Sequence, residues 1–272
     1  KEKRVNDKGQ ILYSVDNGVA TITISNPAKR NAISASMWKQ IPTLMSRAVA
    51  DETVKLVVFS GSDGNFSAGA DIAELTSIAG SNREDTKTAA QTSDDLTSQA
   101  EKAVAECPKL TIALIEGICF GGGLELAIAC DLRMASATAR FCIPAANIGL
   151  VYPFTAIKRL MSIVGPAQAK FLLCTASTLD SEDANQIGLV NRVLPEEQFE
   201  TKTSEFIGGL ISKSQYSITA SIAIINTQIE CREQAKTVAT AWETDDRARE
   251  DLEIGIRSFL KKERPAFTWA LE

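Results

Sequence analysis

The chain of 272 residues contains no histidine, and this absence excludes several kinds of catalytic system. Ser-His-Asp and Cys-His nucleophilic systems need an imidazole, and so do His-ligated metal sites and histidine general bases. Any proton transfer must therefore use carboxylates, tyrosines, lysines, thiols or water.

The six cysteines form no CxxC pair, and most of them lie in apolar segments. Paired CxxC motifs are typical of zinc sites and redox centres, and disulfide frameworks are typical of small secreted domains. We therefore predict reduced thiols in the core, rather than disulfides or a metal site.

Long hydrophobic runs are also missing. No window reaches the roughly 18 uninterrupted apolar residues of a membrane span, and the charged start KEKRVNDKGQ has no hydrophobic stretch like that of a signal peptide. The net charge of -5 argues against a broad attraction to nucleic acid or to an anionic membrane. We expect a cytoplasmic protein with neither partner, in which a polyanionic ligand needs a local basic cluster.

Strand and helix patterns alternate along the first two thirds of the chain. Period-two alternation and β-branched runs predict strands, and helical spacing of apolar residues predicts helices. Pro42 inside the first helix predicts a kink. The expected elements are a β-hairpin over Gln10–Ser25, a helix over Ser34–Asp51, buried strands over Val54–Gly61 and Leu110–Gly117, a polar helical stretch from about Arg83 to Glu106, a strand over Cys130–Ser136, helices over Pro153–Ile163 and Pro166–Cys174, and a short helix that begins at Asp180 or Ser181 and ends at Gly188.

The pattern changes after residue 194. From Pro195 onward, three amphipathic segments have helical spacing, and no strand pattern interrupts them. We therefore predict an α/β core over residues 1–194 and a C-terminal helical region over residues 195–272.

The stretch FGGGLELAIACD, Phe120–Asp131, places three glycines ahead of a single glutamate. Consecutive glycines between a strand and a helix let the backbone approach a ligand, and they expose unpaired N–H groups at the positive end of the helix. Such donors suit an oxygen that carries developing negative charge. The apolar residues around Glu125 predict a buried helix, in which desolvation would move the pKa of this carboxyl toward that of a general acid or base.

Another interpretation of this stretch remains open. Gly121–Gly123 could form only a tight packing turn, while Glu125 pairs with a buried arginine. A phosphate cradle is disfavoured, because no GK[ST] follows and the spacing is not GxGxxG.

A second glycine-containing loop, NFSAGADIAEL, Asn65–Leu75, precedes residues that are typical of a helix. The backbone N–H of Ala70 is a candidate for the second donor of an oxyanion pair. Alone, this loop is more typical of an ordinary connection. Together, the two loops indicate a site.

The chain resembles the crotonase superfamily, the enoyl-CoA hydratase/isomerase proteins, over nearly its whole length. The resemblance implies a crotonase-like α/β spiral of repeated ββα units. It also implies a C-terminal helical region that mediates homotrimers, often paired into hexamers. The matching segments, in family order, are NPAKRNAIS, FSAGADIAEL, IEGICFGGGLELAIACDLRMAS, ARFCIPAANIGL, KRLMSIVGPAQAKFLLCTASTLDSEDANQIGLVNRVLP and IRSFLKKERPAF.

The resemblance further implies a ligand. The thioester carbonyl of an acyl-CoA would lie between the backbone N–H groups of Ala70 and Gly122, and Glu125 would be the acid or base. Coenzyme A is part of the substrate, so no separate cofactor and no metal is expected. The positions that match coenzyme A contacts are Lys29 and Arg30 beside the nucleotide, the backbone near Ala68, Asp71 and Ile72 around the adenine, and Lys261, Lys262 and Arg264 in the C-terminal basic stretch.

One departure from the family pattern concerns the second catalytic carboxylate. Hydratases of the family use two glutamates to hold one water and to transfer its proton and hydroxide. Glu125 matches the first, but the second position, which normally follows the proline in PExxxG, is Ala145. The residues beside Ala145 supply no carboxylate.

The next loop also departs from the family. Tyr152, Pro153 and Phe154 stand where relatives carry a glycine-rich turn, and this bulk is expected to narrow the acyl pocket. Either the hydroxyl of Tyr152 lies near the substrate, or Tyr152 only covers the core.

Three functions are compatible with this pattern. The first is an enoyl-CoA hydratase-like lyase in which Glu125 alone positions water, with assistance from Tyr152 or Cys142. The second is another reaction on a coenzyme A thioester that needs one acid, namely isomerisation, hydrolysis or decarboxylation. The third is an acyl-CoA-binding oligomer without meaningful turnover.

Overall fold

The structure is a computed structural model, and it describes residues 9–71, 96–213, 215–229 and 246–263. It begins with the predicted β-hairpin, in which β1 (Gln10–Asp16) pairs antiparallel with β2 (Val19–Ser25). Asn17 and Gly18 form the turn, both with positive φ, of 48° and 83°. Such a turn matches the right-handed twist of the strands, as the DNG sequence predicts.

Further elements follow in an alternating order, and the predicted α/β class is confirmed. Ser34 caps the first helix, because its side chain accepts a hydrogen bond from the backbone N–H of Met37 at 3.3 Å. Pro42 lies inside this helix, which continues across it. The elements are α1 (Ala35–Ala50), β3 (Leu56–Gly61), α2 (96–105), β4 (Leu110–Ile115), β5 (Ile118–Phe120), α3 (Gly122–Ala129), β6 (Leu132–Ser136), β7 (Arg140–Cys142), α4 (Phe154–Thr175), β8 (Leu179–Asp180), α5 (Ser181–Gln186), β9 (Arg192–Leu194), α6 (Phe199–Ile211), α7 (Gln215–Ile229) and α8 (Asp246–Lys261).

The strands form two sheets. The larger sheet has the order β1-β2-β3-β4-β6-β9, and its pairs from β2 to β9 are parallel. The smaller sheet has the order β5-β7-β8. The chain thus passes from β4 to β5 and then into α3, and from β6 to β7 before it reaches α4. Each unit contributes one strand to each sheet and then a helix, which is the predicted spiral of ββα units.

Four short strands were absent from the sequence prediction. The strand predicted over Leu110–Gly117 ends at Ile115, and β5 lies between it and the glycine triplet. The others are β7, β8 and β9, and none of the four has more than three residues. Such runs are too short to show a period.

The helix predictions are confirmed with some changes of boundary. The two helices predicted over Pro153–Ile163 and Pro166–Cys174 are one element, α4, with a non-helical residue at Gly165. The short helix α5 is capped by Asp180 and followed by Gly188 at φ 80°, as predicted. Of the polar stretch from Arg83 to Glu106, residues 96–105 are helical, and the part before residue 96 lies outside the described residues.

Both faces of the larger sheet are covered. On one face, α1, α3 and α4 enclose the main core, which includes Ile22, Phe59 and Ile115. On the other face, Leu56 and Ile112 pack with side chains of α6 and α7. Parallel sheets are normally buried on both faces, because the helices that connect their strands pack against them. The C-terminal helices therefore add a second, smaller core.

The last described helix, α8, packs on the short 3-10 helix Pro144–Ile148. Gly255 lies so close to the backbone of Ile148 that a Cβ there would overlap it.

The predicted division into a core and a C-terminal region at residue 194 stays a prediction. Within the described ranges, no helix is long and apolar enough to cross a membrane.

Candidate active site

The backbone of the glycine triplet contacts β7 and the loop after β3. Gly121 has φ 48° and ψ -120°, a conformation that favours glycine, and its N–H donates to the Cys142 carbonyl at 2.9 Å. Gly123 packs against Ser67, since a Cβ there would lie 2.7 Å from the Cβ of Ser67. The beginning of α3 therefore approaches the loop after β3 more closely than a side chain would allow.

The loop after β3 runs parallel to β5. The N–H of Ser67 donates to the Ile118 carbonyl, and the N–H of Phe120 donates to the Ser67 carbonyl, both at 2.9 Å. Gly69 follows with φ 98°, and a Cβ on it would lie 2.8 Å from the Phe120 carbonyl oxygen and 3.2 Å from the nitrogen of Gly122. Glycine at position 69 thus permits the two loops to meet.

Ala70 forms a parallel bridge with Ile33, and its backbone N–H points away from Ile33. The N–H of Ile33 donates to the Gly69 carbonyl at 2.8 Å, and the N–H of Asp71 donates to the Ile33 carbonyl at 3.1 Å. In a parallel bridge, the residue between two such partners directs its own N–H to the opposite side. A Cβ on Gly122 would lie 3.5 Å from the nitrogen of Ala70.

The N–H groups of Ala70 and Gly122 therefore lie close together. Among the residues that the structure describes, neither donates to a backbone or side-chain acceptor. Gly122 is the first residue of α3, so its N–H has no partner within the helix. Both residues are partly exposed. The arrangement can bind one oxygen atom with two donors.

Glu125 lies in the first turn of α3, and its side chain is only 3% exposed. Every residue from Gly123 to Ala129 is buried, as the apolar sequence predicts. The buried Arg133 is bound at the other end of the helix, where it donates to the Ala127 carbonyl at 3.4 Å and the Cys130 carbonyl at 2.6 Å. The guanidinium also donates to the Leu189 carbonyl at 2.8 Å, so its described hydrogen bonds all go to backbone oxygens.

Ala145 is buried on the 3-10 helix that packs beside the glycine triplet. Its neighbour Pro144 faces Gly121, since a Cβ on Gly121 would lie 3.7 Å from the Cδ of Pro144. A methyl group therefore lies at position 145, where the resemblance implies that two-glutamate hydratases carry their second carboxylate.

Tyr152 is buried, and its hydroxyl donates to the carbonyl oxygen of Gly121 at 3.0 Å. Burial, and then the negative charges of Glu125 and Glu101, hold the pKa of this phenol well above its ordinary value. Its side chain belongs to the main core. The side chain covers the core, as the second expectation for Tyr152 states, and its hydroxyl reaches the glycine triplet.

A second buried carboxylate, Glu101 of α2, was missed in the sequence. Its side chain is 2% exposed and accepts hydrogen bonds from the Thr155 hydroxyl at 2.8 Å and from Arg159 Nε at 3.1 Å. Both partners belong to α4. The sequence analysis predicted only a polar helical stretch here. Ala100 and Val104, four residues apart, lie on its buried face, and Glu101 is buried next to them.

The residues predicted to contact coenzyme A near the N-terminus lie together. Lys29 forms a salt bridge with Asp71, with Nζ and Oδ2 2.6 Å apart. The N–H of Ala68 donates to the carbonyl of Arg30 at 2.9 Å, and the Arg30 side chain is exposed. Ala68 and Asp71 belong to the loop that carries Ala70, and these two contacts attach the segment of Lys29 and Arg30 to it. Ile72 and Arg264 lie outside the described residues, and Lys261 and Lys262 are exposed at the end of α8.

The sequence matches a known family model. The model for "Enoyl-CoA hydratase/isomerase" covers residues 14–269. A probable enoyl-CoA hydratase of Bacillus subtilis is 32% identical over 94% of this chain and 98% of its own length. A crotonyl-CoA hydratase of Syntrophomonas wolfei is 30% identical over 94% of this chain and 97% of its own length.

Solved structures agree with these matches. One of them, an enoyl-CoA hydratase/isomerase family member, superposes with a TM-score of 0.74 at 33% identity. The superposition covers 97% of this chain and 100% of the other. The fold described above is thus the fold of this solved family member.

Proposed function

Because the chain belongs to the enoyl-CoA hydratase/isomerase family, we propose that it acts on acyl-CoA thioesters and stabilises a thioester enolate. The observation that carries the proposal is the approach of two backbone N–H groups, those of Ala70 and Gly122, to one another. The thioester carbonyl oxygen would accept a hydrogen bond from each. Preorganised donors of this kind stabilise charge that develops in the transition state.

The chemistry follows from the polarised carbonyl. Withdrawal of electrons toward the oxygen makes the α-carbon of the thioester acidic and the β-carbon of an enoyl group electrophilic. A base can then remove the α-proton, or water can add to the β-carbon while the α-carbon gains a proton. The two donors therefore select the substrate class, and the side chains near them select the reaction.

Glu125 is the proposed acid and base. It lies within one turn of Gly122 on the same buried helix, so its carboxylate is fixed relative to the donor. A buried carboxylate is costly to keep, and catalytic sites are where such groups are commonly found. Positioned acids and bases contribute roughly 10²- to 10⁴-fold to rates.

The reaction we favour is hydration of an enoyl-CoA, in which a water oxygen bonds to the β-carbon and a proton is added to the α-carbon. The family and the hydratases among its relatives support this reaction and a classification as a lyase. With a methyl group at Ala145, Glu125 would have to position water and transfer its proton. Hydration is therefore expected to be slow.

A second candidate function has its own support. The absence of a carboxylate at Ala145 favours a reaction that needs one acid or base, such as isomerisation, hydrolysis or decarboxylation of a coenzyme A thioester. An acyl-CoA-binding oligomer without turnover is the third alternative. It would gain little from a buried Glu125.

Coenzyme A binding is proposed for the basic positions around the site. Lys29 and Arg30 are exposed beside Ala68 and Asp71, and the salt bridge to Asp71 holds Lys29 against the loop that carries Ala70. Lys261 and Lys262 would add positive charge from the C-terminal region. Together, these positions would supply the local basic cluster that an acidic protein needs for a polyanionic ligand.

The assembly and location are part of the same proposal. The family resemblance supports a homotrimer or a dimer of trimers, and the proposed cytoplasmic location rests on the sequence pattern alone. The exposed apolar side chains of Phe259 and Leu260 on α8 are suited to burial in such an assembly.

The proposal is tested by hydrogen exchange at the α-carbon of a saturated thioester. Butyryl-CoA is incubated with the protein in deuterated water, and deuterium uptake is followed by mass. We expect enzyme-dependent uptake, because hydration, isomerisation and decarboxylation all develop enolate character at the α-carbon, whereas hydrolysis would be detected by the release of free coenzyme A. If butyryl-CoA and a panel of enoyl-CoA and malonyl-CoA thioesters bind without exchange or conversion, the binding oligomer is the correct function.

A further inference from the structure

One peptide group links Tyr152 to the proposed oxyanion site. The carbonyl of Gly121 and the N–H of Gly122 belong to the same peptide bond. A peptide bond is planar and trans, so its C=O and N–H point in opposite directions. Whatever fixes the direction of the Gly121 oxygen therefore also fixes the direction of the Gly122 N–H.

The Gly121 oxygen accepts two hydrogen bonds. The backbone N–H of Glu125 donates to it at 3.0 Å, as part of the helix α3. The hydroxyl of Tyr152, which lies 31 residues further along the chain, donates to it at 3.0 Å. The helix restrains this oxygen along its own axis, and the tyrosine restrains it from a separate segment.

The peptide needs this restraint because glycine flanks it on both sides. Gly121 adopts φ 48° and ψ -120°, and neither Gly121 nor Gly122 has a Cβ that would limit rotation of the peptide plane. A rotated peptide would turn the Gly122 N–H away from the N–H of Ala70.

On the basis of the proposed function, we infer that Tyr152 is a positioning residue that holds the Gly121–Gly122 peptide with its N–H directed at the thioester oxygen. Tyr152 does not touch the substrate in this role. It acts through the peptide, on the opposite side from the ligand.

The surroundings of Tyr152 suit this role. Its side chain is buried in the main core, and its raised pKa keeps the hydroxyl protonated and able to donate. The hydrogen bonds from Thr155 and Arg159 to Glu101 fix the first turns of α4 directly after Tyr152. A hydrogen bond to the carbonyl also polarises the peptide and strengthens its N–H as a donor.

The test replaces Tyr152 by phenylalanine, which removes one oxygen atom and keeps the ring. The matched control is Tyr13→Phe, because the Tyr13 hydroxyl is buried and has no hydrogen-bond partner among the described residues. Both variants are compared with the unaltered protein by isotope-edited infrared spectroscopy of bound butyryl-CoA labelled with ¹³C at the carbonyl. The rate of α-deuterium exchange and its KM are measured in parallel.

We expect Tyr152→Phe to reduce the downshift of the bound carbonyl frequency and to lower kcat for exchange by about 10- to 100-fold, less than complete loss of a donor causes. KM should change little, because the bond acts mainly in the transition state. Tyr13→Phe should match the unaltered protein in each measurement. A merely structural role for Tyr152 would change stability without reducing the carbonyl shift.

Two results are distinguished by this design. If the unaltered protein produces no carbonyl downshift, the proposed function is wrong. If it does, and Tyr152→Phe keeps both the full downshift and the full kcat, the role of Tyr152 is wrong. If Tyr152→Phe folds poorly, Tyr152 is replaced by 3-fluorotyrosine instead. Its more acidic phenol donates a stronger hydrogen bond, so the downshift of the bound carbonyl frequency should increase. An unchanged carbonyl frequency would then refute the inference.

Discussion

The backbone nitrogen of Ala70 lies 3.5 Å from the position that a Cβ on Gly122 would occupy. A side chain at position 122 would therefore stand beside the N–H of Ala70, where an oxygen bound to both donors would lie. The donors of the proposed oxyanion site are backbone groups, but a substitution at position 122 can still block the site.

Gly122→Ala should abolish turnover. The added methyl would lie between the two donors, and it would also press on Trp38 at 3.1 Å from Cζ2. We expect the exchange rate to fall by at least about 100-fold, as for the loss of one oxyanion donor. Gly208→Ala is the control, because a Cβ there meets nothing within 4 Å. Normal exchange by Gly122→Ala would show that the oxyanion lies elsewhere.

Glu125→Gln should remove catalysis and preserve binding. The amide keeps the shape of the carboxylate but cannot accept the α-proton, so exchange should fall by roughly 10²- to 10⁴-fold. Isothermal titration with butyryl-CoA should give an affinity close to that of the unaltered protein. Glu182→Gln, an exposed glutamate on α5, serves as the control. Survival of more than a few per cent of the activity would reject the role assigned to Glu125.

Ala145→Glu should increase the hydration of crotonyl-CoA. The variant restores the second carboxylate beside the glycine triplet, and an added general base can contribute about 10²-fold. The control is Ala146→Glu, which adds the same charge at the exposed neighbouring position. The prediction and its premise both fail if the unaltered protein already hydrates crotonyl-CoA as fast as a two-glutamate relative.

Glu101→Gln should lower stability. The buried carboxylate accepts from Thr155 and Arg159, and hydrogen bonds to a charged group contribute about 1.5–3 kcal/mol each. Urea denaturation should show a loss of about 1–3 kcal/mol in the free energy of unfolding, since the amide keeps part of the network. Glu106→Gln breaks only an exposed pair with Lys102, so its effect should stay below about 1 kcal/mol. Equal losses in the two variants would contradict this account.

Asp131→Asn should change the pH dependence of stability. Burial raises the pKa of Asp131, although hydrogen bonds from the Thr111 N–H and hydroxyl oppose the rise. The folded state then holds this proton more tightly than the unfolded state, so stability falls as pH rises from the ordinary aspartate pKa through the raised one. Unfolding in urea, measured at acidic to neutral pH, should lose this slope in Asp131→Asn. An unchanged slope would show that Asp131 does not cause it.

Much of the fold was predictable because long elements carry strong periodic signals. The hairpin around Asn17 and Gly18, the cap at Ser34 and the buried helix around Glu125 all follow from local residue types. The short strands of the smaller sheet were missed. Each of these strands has three residues or fewer, and it becomes a strand only because it pairs with a distant segment, as β5 does with β7.

The site was predictable only in part, for a related reason. Glycines at positions 69 and 122 indicate a close approach of the backbone, and the structure brings these two loops together. The partner of the Tyr152 hydroxyl is a backbone carbonyl in another loop, and no residue type in the sequence identifies it. The burial of Glu101 likewise depends on how α2 packs on α4.

The central claim is that the N–H groups of Ala70 and Gly122 bind one thioester oxygen. A crystal structure of the protein with butyryl-CoA tests this claim most directly. We predict that the carbonyl oxygen lies about 2.7–3.1 Å from both backbone nitrogens, with the carboxylate of Glu125 facing the α-carbon. A carbonyl oxygen bound away from either nitrogen would contradict the account.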